Sequence, residues 1–247
     1  KYFFYLILFF LGSIFMRSAG CIVNDIFDKE FDAKVFRTKD RPIASGKISI
    51  KLAIFYSLIL CFFAFLVLLN FNLFTVILAL GSMPLAFTYP LMKRLTYWPQ
   101  LFLGITFNYG LILGWTSIKG QIDLVPIIFY LGAIFWTLGY DTIYGYQDIK
   151  DDEIIGLKST SIKFKGKPKY FLFTCYVLVS ILFIVGGYAM KFNYNYYLLS
   201  FITIIHLLVY QMKIFNLNNP SSCLKAFKSN NLFGFIVFLK LLILKIL

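Results

Sequence analysis

The chain has 247 residues, 60% of them hydrophobic and only 14% charged, with 30 Phe and 17 Tyr. Soluble domains run nearer about 45 to 50% apolar and about 25% charged, so this composition excludes an ordinary soluble enzyme and indicates a polytopic membrane protein. The formal net charge of +13 does not indicate a nucleic-acid partner, because that reading needs basic residues gathered on a soluble surface and no soluble domain is visible.

Crossing the roughly 30 Å hydrocarbon core takes about 20 mostly apolar helical residues. Eight segments qualify, at 2–19, 50–70, 71–92, 98–118, 123–143, 169–189, 193–213 and 229–246. A transmembrane β-barrel would show roughly ten-residue alternating segments, not unbroken runs such as LAIFYSLILCFFAFLVLL. The predicted fold is all-α: a polytopic membrane helical bundle of eight transmembrane helices, with residues 1–247 forming one domain.

The first segment leads into CIVNDIFDKEFDAKVFRTKDRP, residues 21–42. Asn24, Asp28 and Asp32 are spaced i, i+4, i+8, and Asp25 joins the latter two at i+3 and i+7, so a helix carries them as one stripe. Arg37, Lys39 and Arg41 follow directly, and the connection after the third segment supplies Lys93 and Arg94. After the fifth segment, DTIYGYQDIKDDEIIG places Asp141, Asp148 and Asp152 at i, i+7, i+11, which predicts a second stripe. Of 11 acids, five lie at 25–40, five at 141–153, and the remaining one is Asp123.

Lys and Arg near span ends mark the cytoplasmic side. With their flanks, the connections after segments one, three, five and seven hold 8, 2, 6 and 3 of them, against 0, 1 and 1 after two, four and six. Both acid clusters follow odd-numbered segments, so they are expected at the same, cytoplasmic face, where they can meet. The surplus positive charge also favours anionic lipid headgroups.

Carboxylates stacked this closely repel unless they are protonated or bridged by cations. Oxygen donors without His or Cys partners suit a hard ion, above all Mg²⁺, which keeps waters and binds through a few carboxylates plus a substrate phosphate. Arg forks suit phosphate oxygens. The plainer alternatives are solvated acids balanced by nearby bases, and bases placed by topology alone; Lys163, Lys165, Lys167 and Lys169 fit the latter. Phe107, Tyr109, Trp115, Phe135, Trp136 and Tyr140 follow the acidic mouth. Each is individually a packing residue, but together they offer π faces to a cation. A transporter would place its ionisable groups near the bilayer midplane, whereas these acids cluster at one face.

NDIFDKEFD and DTIYGYQDIKDD resemble the two aspartate motifs of the UbiA superfamily of intramembrane prenyltransferases. The similarity extends through RTKDRPIASG, TYPLMKRLTYWPQLFLGITFNYG, GLKSTSIKF and CLKAFKSNNLFG, and is strongest toward the 4-hydroxybenzoate polyprenyltransferase branch. The resemblance implies that Mg²⁺ bridges the motifs and holds the diphosphate of a polyprenyl diphosphate. Asn24, Asp25, Asp28, Asp32, Asp148 and Asp152 are the implied metal residues. Asp28, Asp32, Asp148 and Asp152 are the implied catalytic residues, and Arg37, Arg41, Lys93 and Tyr89 the diphosphate contacts. The implied reaction joins the prenyl group to the ring carbon ortho to the hydroxyl of 4-hydroxybenzoate, in ubiquinone biosynthesis, at a bacterial or mitochondrial inner membrane. A second-motif Asp or the released diphosphate takes the ring proton. Homogentisate, dihydroxynaphthoate or protohaem are the alternative acceptors within the superfamily.

The chain departs from the family in two respects. The family has nine spans, so the eight here, with a start at Lys1, lead us to expect that the first is missing through N-terminal truncation or an incomplete reading frame. Gly145-Tyr146 stands where the ubiquinone branch often has Ala and another residue such as His, a change expected to bear on acceptor choice. Cys21, Cys61, Cys175 and Cys223 lack metal or disulfide spacing. His206, alone within a span, is expected to be neutral, hydrogen-bonded and packed. Pro84, Pro90 and Pro126 are expected to kink or begin helices.

Overall fold

A computed structural model describes residues 2–36 and 38–246, and Arg37 lies outside them. Among the described residues eight helical stretches are long and apolar enough to cross a membrane, matching the eight segments expected. The chain packs as two compact units, Lys1–Leu91 with Leu113–Gln121 and Met92–Ile112 with Ile122–Leu247.

In the first unit α1 (Tyr2–Asp32) runs without a break through the apolar segment and the acidic stripe, 13 residues past the expected boundary at 19. It packs on α2 (Ile50–Leu68), with the Phe15 and Phe63 rings 5.7 Å apart, and its Phe9 ring lies 4.8 Å from Phe71 in the turn after α2. Ser49 caps α2 by accepting from Leu52 N at 3.3 Å. Asn72 caps α3 (Leu73–Thr88) and also donates to Thr116 O at 2.9 Å. A buried hydroxyl pair, Thr75 to Thr116 at 3.0 Å, joins α3 to the later part of α6 (Gly110–Lys119). Pro84 lies inside α3, and Pro90 lies in the 3₁₀ turn Tyr89–Leu91 that follows it.

In the second unit α4 (Met92–Leu95) precedes α5 (Pro99–Phe107). The span expected at 98–118 is interrupted at Asn108 and Tyr109 before α6. Asn108 stabilises the break by donating to Gly104 O at 2.8 Å and to Thr137 Oγ1 at 2.8 Å. The central helix is α7 (Leu124–Gly145), with Pro126 in its first turn. After α8 (Ile149–Ile155) and α9 (Thr160–Lys163), α10 (Pro168–Ala189) packs along α7. The remaining elements are α11 (Tyr194–Ile205), a π turn His206–Gln211, α12 (Met212–Ile214), α13 (Pro220–Lys228) and α14 (Asn230–Ile246).

Helices in a bilayer associate through close packing and internal hydrogen bonds, because lipid is as apolar as their side chains. Tyr176 of α10 is fully buried against Gly139 of α7, and its hydroxyl donates to Gln211 Oε1 at 2.6 Å. Gln211 in turn donates to Asn230 Oδ1 at 2.9 Å, which also accepts from Trp136 Nε1 at 2.8 Å. His206 sits in this network, its Nε2 3.3 Å from Gln211 Nε2. As Gln211 Nε2 is a donor, that imidazole nitrogen accepts, which is the neutral, hydrogen-bonded packing role expected for His206.

A Cβ at Gly139 would lie 2.5 Å from a ring carbon of Tyr176, and the phenol's hydrogen bond prevents the ring from retreating. Gly139→Ala is expected to destabilise the protein by about 1–3 kcal/mol, read as a lower melting temperature in detergent. Gly114→Ala, at a helical site where the added carbon meets nothing within 4 Å, should melt as the parent does.

Candidate active site

The two aspartate motifs belong to different units. The first ends α1. Its acids lie at the C-terminal end of the helix, where the partial negative charge of the carbonyls disfavours carboxylates. Asp28 is 3% and Asp32 8% exposed, so burial adds a desolvation penalty. Asn24 Nδ2 donates to Asp28 Oδ2 at 3.1 Å, and one nitrogen of Arg41, Nη1, lies 2.9 Å from Asp25 Oδ1 and 2.8 Å from Asp32 Oδ2.

Arg41 arrives there because the chain after α1 folds back in tight turns. Thr38 Oγ1 donates to Asp32 O at 3.0 Å, satisfying a carbonyl left open by the end of the helix. Ser45 N donates to Arg41 O, and Ile48 N to Pro42 O, each at 2.9 Å. Val35 and Ile43 are buried and anchor the loop. The structure thus places Asn24, Asp25, Asp28 and Asp32 along one stripe as the spacing implied, and Arg41, expected as a diphosphate contact, here grips two carboxylates of its own motif. Arg37, expected beside it, is outside the described residues.

The second motif follows α7. The continuous stripe expected from Asp141 to Asp148 is broken: α7 ends at Gly145, a turn occupies 146–148, and Asp148 becomes the N-cap residue of the separate helix α8. The break has a local cause. Gln147 donates from both N and Nε2 to Tyr144 O, each at 3.1 Å, closing α7 before Asp148. Asp152 remains one turn from Asp148, its N donating to Asp148 O at 2.9 Å. Both are half-buried, while Asp151 is exposed.

A buried polar clamp absent from the sequence reading holds this turn. Thr142 Oγ1 meets Thr160 Oγ1 at 2.6 Å, Ser161 Oγ donates to Thr142 O at 2.9 Å, and Thr160 N donates to Gln100 Oε1 at 3.0 Å. A Cβ at Gly145 would run into Ser161 Oγ, so the Gly at this position is what lets α9 dock on the end of α7. The signal was present in the GLKSTSIKF string, but Gln100 is some sixty residues away and carried none.

Lys93, in α4, accepts from Lys158 N at 2.8 Å through its carbonyl, and Lys158 Nζ donates to Leu95 O at 3.3 Å. The stretch carrying Lys93 is therefore fastened to the segment following the second motif. Tyr89 lies in the 3₁₀ turn before α4. Trp136, Tyr140 and Tyr144 form a column on α7 that ends one turn before Asp148. Trp136 packs on Tyr140 at 5.2 Å and on Phe233 at 4.8 Å, and Tyr144 on Phe227 at 4.7 Å. Of the other aromatics singled out, Phe107 is exposed, Trp115 lies under the Lys119 ammonium, and Tyr109 packs edge-on against Tyr130. The phenol of Tyr146 is buried with no hydrogen-bond partner among the described residues. Burial, and then the neighbouring Cys223, push its pKa up.

Among the described residues no three His, Cys, Asp or Glu side chains converge as a ready-made metal cluster. The donors present nevertheless fit Mg²⁺. They are carboxylates held at one end of each motif's helix, and this ion binds through one or two carboxylates, waters and substrate phosphates rather than through an all-protein cage.

The model of the UbiA prenyltransferase family matches residues 2–239, and the chain belongs to that family. It is an integral membrane protein. It is 43% identical over 235 residues to the mitochondrial 4-hydroxybenzoate polyprenyltransferase of Drosophila pseudoobscura pseudoobscura, an alignment covering 94% of this chain and 58% of that protein. The chain spans a little over half the length of the first curated relatives it matches. Its fold resembles the apo structure of a UbiA homologue from Aeropyrum pernix K1, with a TM-score of 0.83 at 22% identity over 96% of this chain and 88% of that one. It also resembles a UbiA homologue from Archaeoglobus fulgidus bound to GPP and Mg²⁺, with a TM-score of 0.71 at 17% identity over 95% and 86%.

Removing Arg41 leaves Asp25 and Asp32 without the cation they share. Arg41→Gln is expected to lose about 1–3 kcal/mol of stability, read as a lower melting temperature in detergent. Arg41→Lys should fall in between, since an ammonium keeps the charge but not the planar fork. Equal melting of all three proteins would show that the bridge contributes nothing to the fold.

Proposed function

We propose that the protein is a Mg²⁺-dependent prenyltransferase that moves a polyprenyl group from its diphosphate to the ring carbon ortho to the hydroxyl of 4-hydroxybenzoate, as in ubiquinone biosynthesis. The observation that carries this reading is the burial of Asp28 and Asp32 at the end of an apolar helix. Carboxylates are kept in such a place for a cation, and a cation there suits an amphiphile whose charged head lies at the membrane surface. The relative from Drosophila pseudoobscura pseudoobscura, named for this acceptor, and the structural neighbour bound to GPP and Mg²⁺ support the choice of reaction.

Asn24, Asp25, Asp28 and Asp32 of the first motif, and Asp148 and Asp152 of the second, would hold the ions that accompany the diphosphate. Bound Mg²⁺ would supply Lewis-acid stabilisation of the departing diphosphate. Arg41, Arg37 and Lys93 add positive charge for the same leaving group, with Tyr89 as a further contact. The allylic C–O bond breaks, the ring carbon ortho to the phenol bonds to the prenyl carbon, and the ring then loses its proton to a second-motif carboxylate or to the released diphosphate. The aromatic column Trp136, Tyr140 and Tyr144 excludes water and presents π faces to the allylic cation. The reaction belongs on the cytoplasmic or matrix side, where the basic connections lie.

Membranes carrying the protein should join radiolabelled 4-hydroxybenzoate to a polyprenyl diphosphate, lose the activity with a chelator and regain it with Mg²⁺. Asp28→Ala and Asp148→Ala should each lower the rate at least about 10²-fold. Full activity in both variants would sink the assignment of the metal residues. Preference for homogentisate, dihydroxynaphthoate or protohaem in an acceptor panel would replace the acceptor while leaving the metal reading intact.

A further inference from the structure

Five lysines follow the second motif at or near the start of α10 and the end of α12, and they divide by what they touch. Lys165 is paired with Glu153, and Lys163 lies over the Trp98 ring at 4.5 Å. Lys167, Lys169 and Lys213 are exposed, and their side chains have no ion-pair or hydrogen-bond partner among the described residues. These three line a groove of about 640 Å³ together with Tyr170, Phe215 and Leu217. No Asp or Glu lines it.

The depth of this groove follows from the chain. Lys167 and Lys169 flank Pro168, the first residue of one span, and Lys213 precedes Ile214, the last residue of the next. Consecutive antiparallel spans put these ends at one level, which is headgroup depth. Tyr170 is 74% exposed, the position of an interfacial aromatic ring, while buried Phe215 makes an apolar floor where acyl chains begin. The N-terminal amides of the 22-residue helix α10 add their partial positive charge to the same end.

We propose that this groove is a binding site for the phosphate headgroup of an anionic phospholipid. The three ammoniums neutralise the phosphate, as basic pockets on this side of membrane proteins do, and Tyr170, Phe215 and Leu217 cover the glycerol and first acyl carbons. A free diphosphate arriving with Mg²⁺ is a poorer match, because the groove has no carboxylate with which to hold the metal.

The test reconstitutes the protein in phosphatidylcholine nanodiscs with a graded fraction of phosphatidylglycerol and counts retained phosphatidylglycerol by mass spectrometry. The triple variant Lys167→Gln, Lys169→Gln, Lys213→Gln should lose retention roughly tenfold or more, because these three ammoniums line one groove around a single phosphate. A control that removes the same charge elsewhere, Lys191→Gln, Lys225→Gln, Lys228→Gln, should lose less than about twofold. Both triples should melt as the parent does, since the groove lysines hold nothing in the fold. Equal losses in the two triples would overturn the proposal in favour of diffuse surface charge, and unchanged retention in the groove triple would overturn it outright. In a second arm, inorganic phosphate and diphosphate are added at millimolar concentration and should leave the bound lipid in place. Displacement of the lipid by either, abolished in the groove triple, would make this a soluble-phosphate site and overturn the lipid assignment.

Discussion

A buried carboxylate at the C-terminal end of an apolar helix is opposed three times: by the negative end of the helix dipole, by lost hydration, and by like charges one turn away. Asp28 and Asp32 meet all three conditions on α1, with Asp25 half-buried beside them. Much of the polar structure in the first unit answers this constraint. The loop after α1 turns back through Thr38, and is anchored by Val35 and Ile43, so that Arg41 reaches Asp25 and Asp32. Asn24 takes one oxygen of Asp28. A cation is the physical requirement of this helix end, and Arg41 meets it in part.

The second motif stands in the opposite relation to its helix. The break at 146–148 creates a new helix start, so Asp148 is the N-cap residue of α8, and Asp151 and Asp152 fall in its first turn. There the helix dipole favours a carboxylate, and Asp148 and Asp152 are half-buried while Asp151 is exposed. The two motifs look alike as strings of aspartates yet differ in their electrostatic setting. The first depends on an arginine delivered by a folded loop, and the second on a chain break held by Gln147, Gly145 and the Thr142, Thr160 and Ser161 clamp.

Legibility in the sequence followed the range of the interaction. The eight spans and the stripe of Asn24, Asp28 and Asp32 were readable because hydropathy and helical period are local properties. The interruption at Asn108 was not, since it rests on a hydrogen bond to Thr137, one helix away. The continuous stripe from Asp141 failed for a different reason: the cause is local, but spacing alone does not reveal that Gln147 donates twice to Tyr144 O. Gln100 and the π turn at 206–211 left no local trace. Lys240, inside an apolar stretch, is 2% exposed; its ammonium donates to Ser200 Oγ at 3.0 Å and sits 4.0 Å from the centre of the Tyr196 ring. Only packing discloses such partners.

The same packing explains how an aromatic column can be held in place within the second unit. Lipid supplies no hydrophobic drive for helix association, so rings pressed onto glycines and fully paired polar groups must fix the geometry. Tyr176 against Gly139 sets α7 beside α10, and its hydroxyl leads through Gln211 to Asn230, which accepts from Trp136. Trp136 is thereby held at its ring nitrogen as well as by its contact with Phe233. Tyr140 and Tyr144 continue the column, each packing on Phe227 of α13. The polar network thus orients Trp136 and, with it, the aromatic column on α7, which gives His206 and Gln211 a structural part in placing those rings.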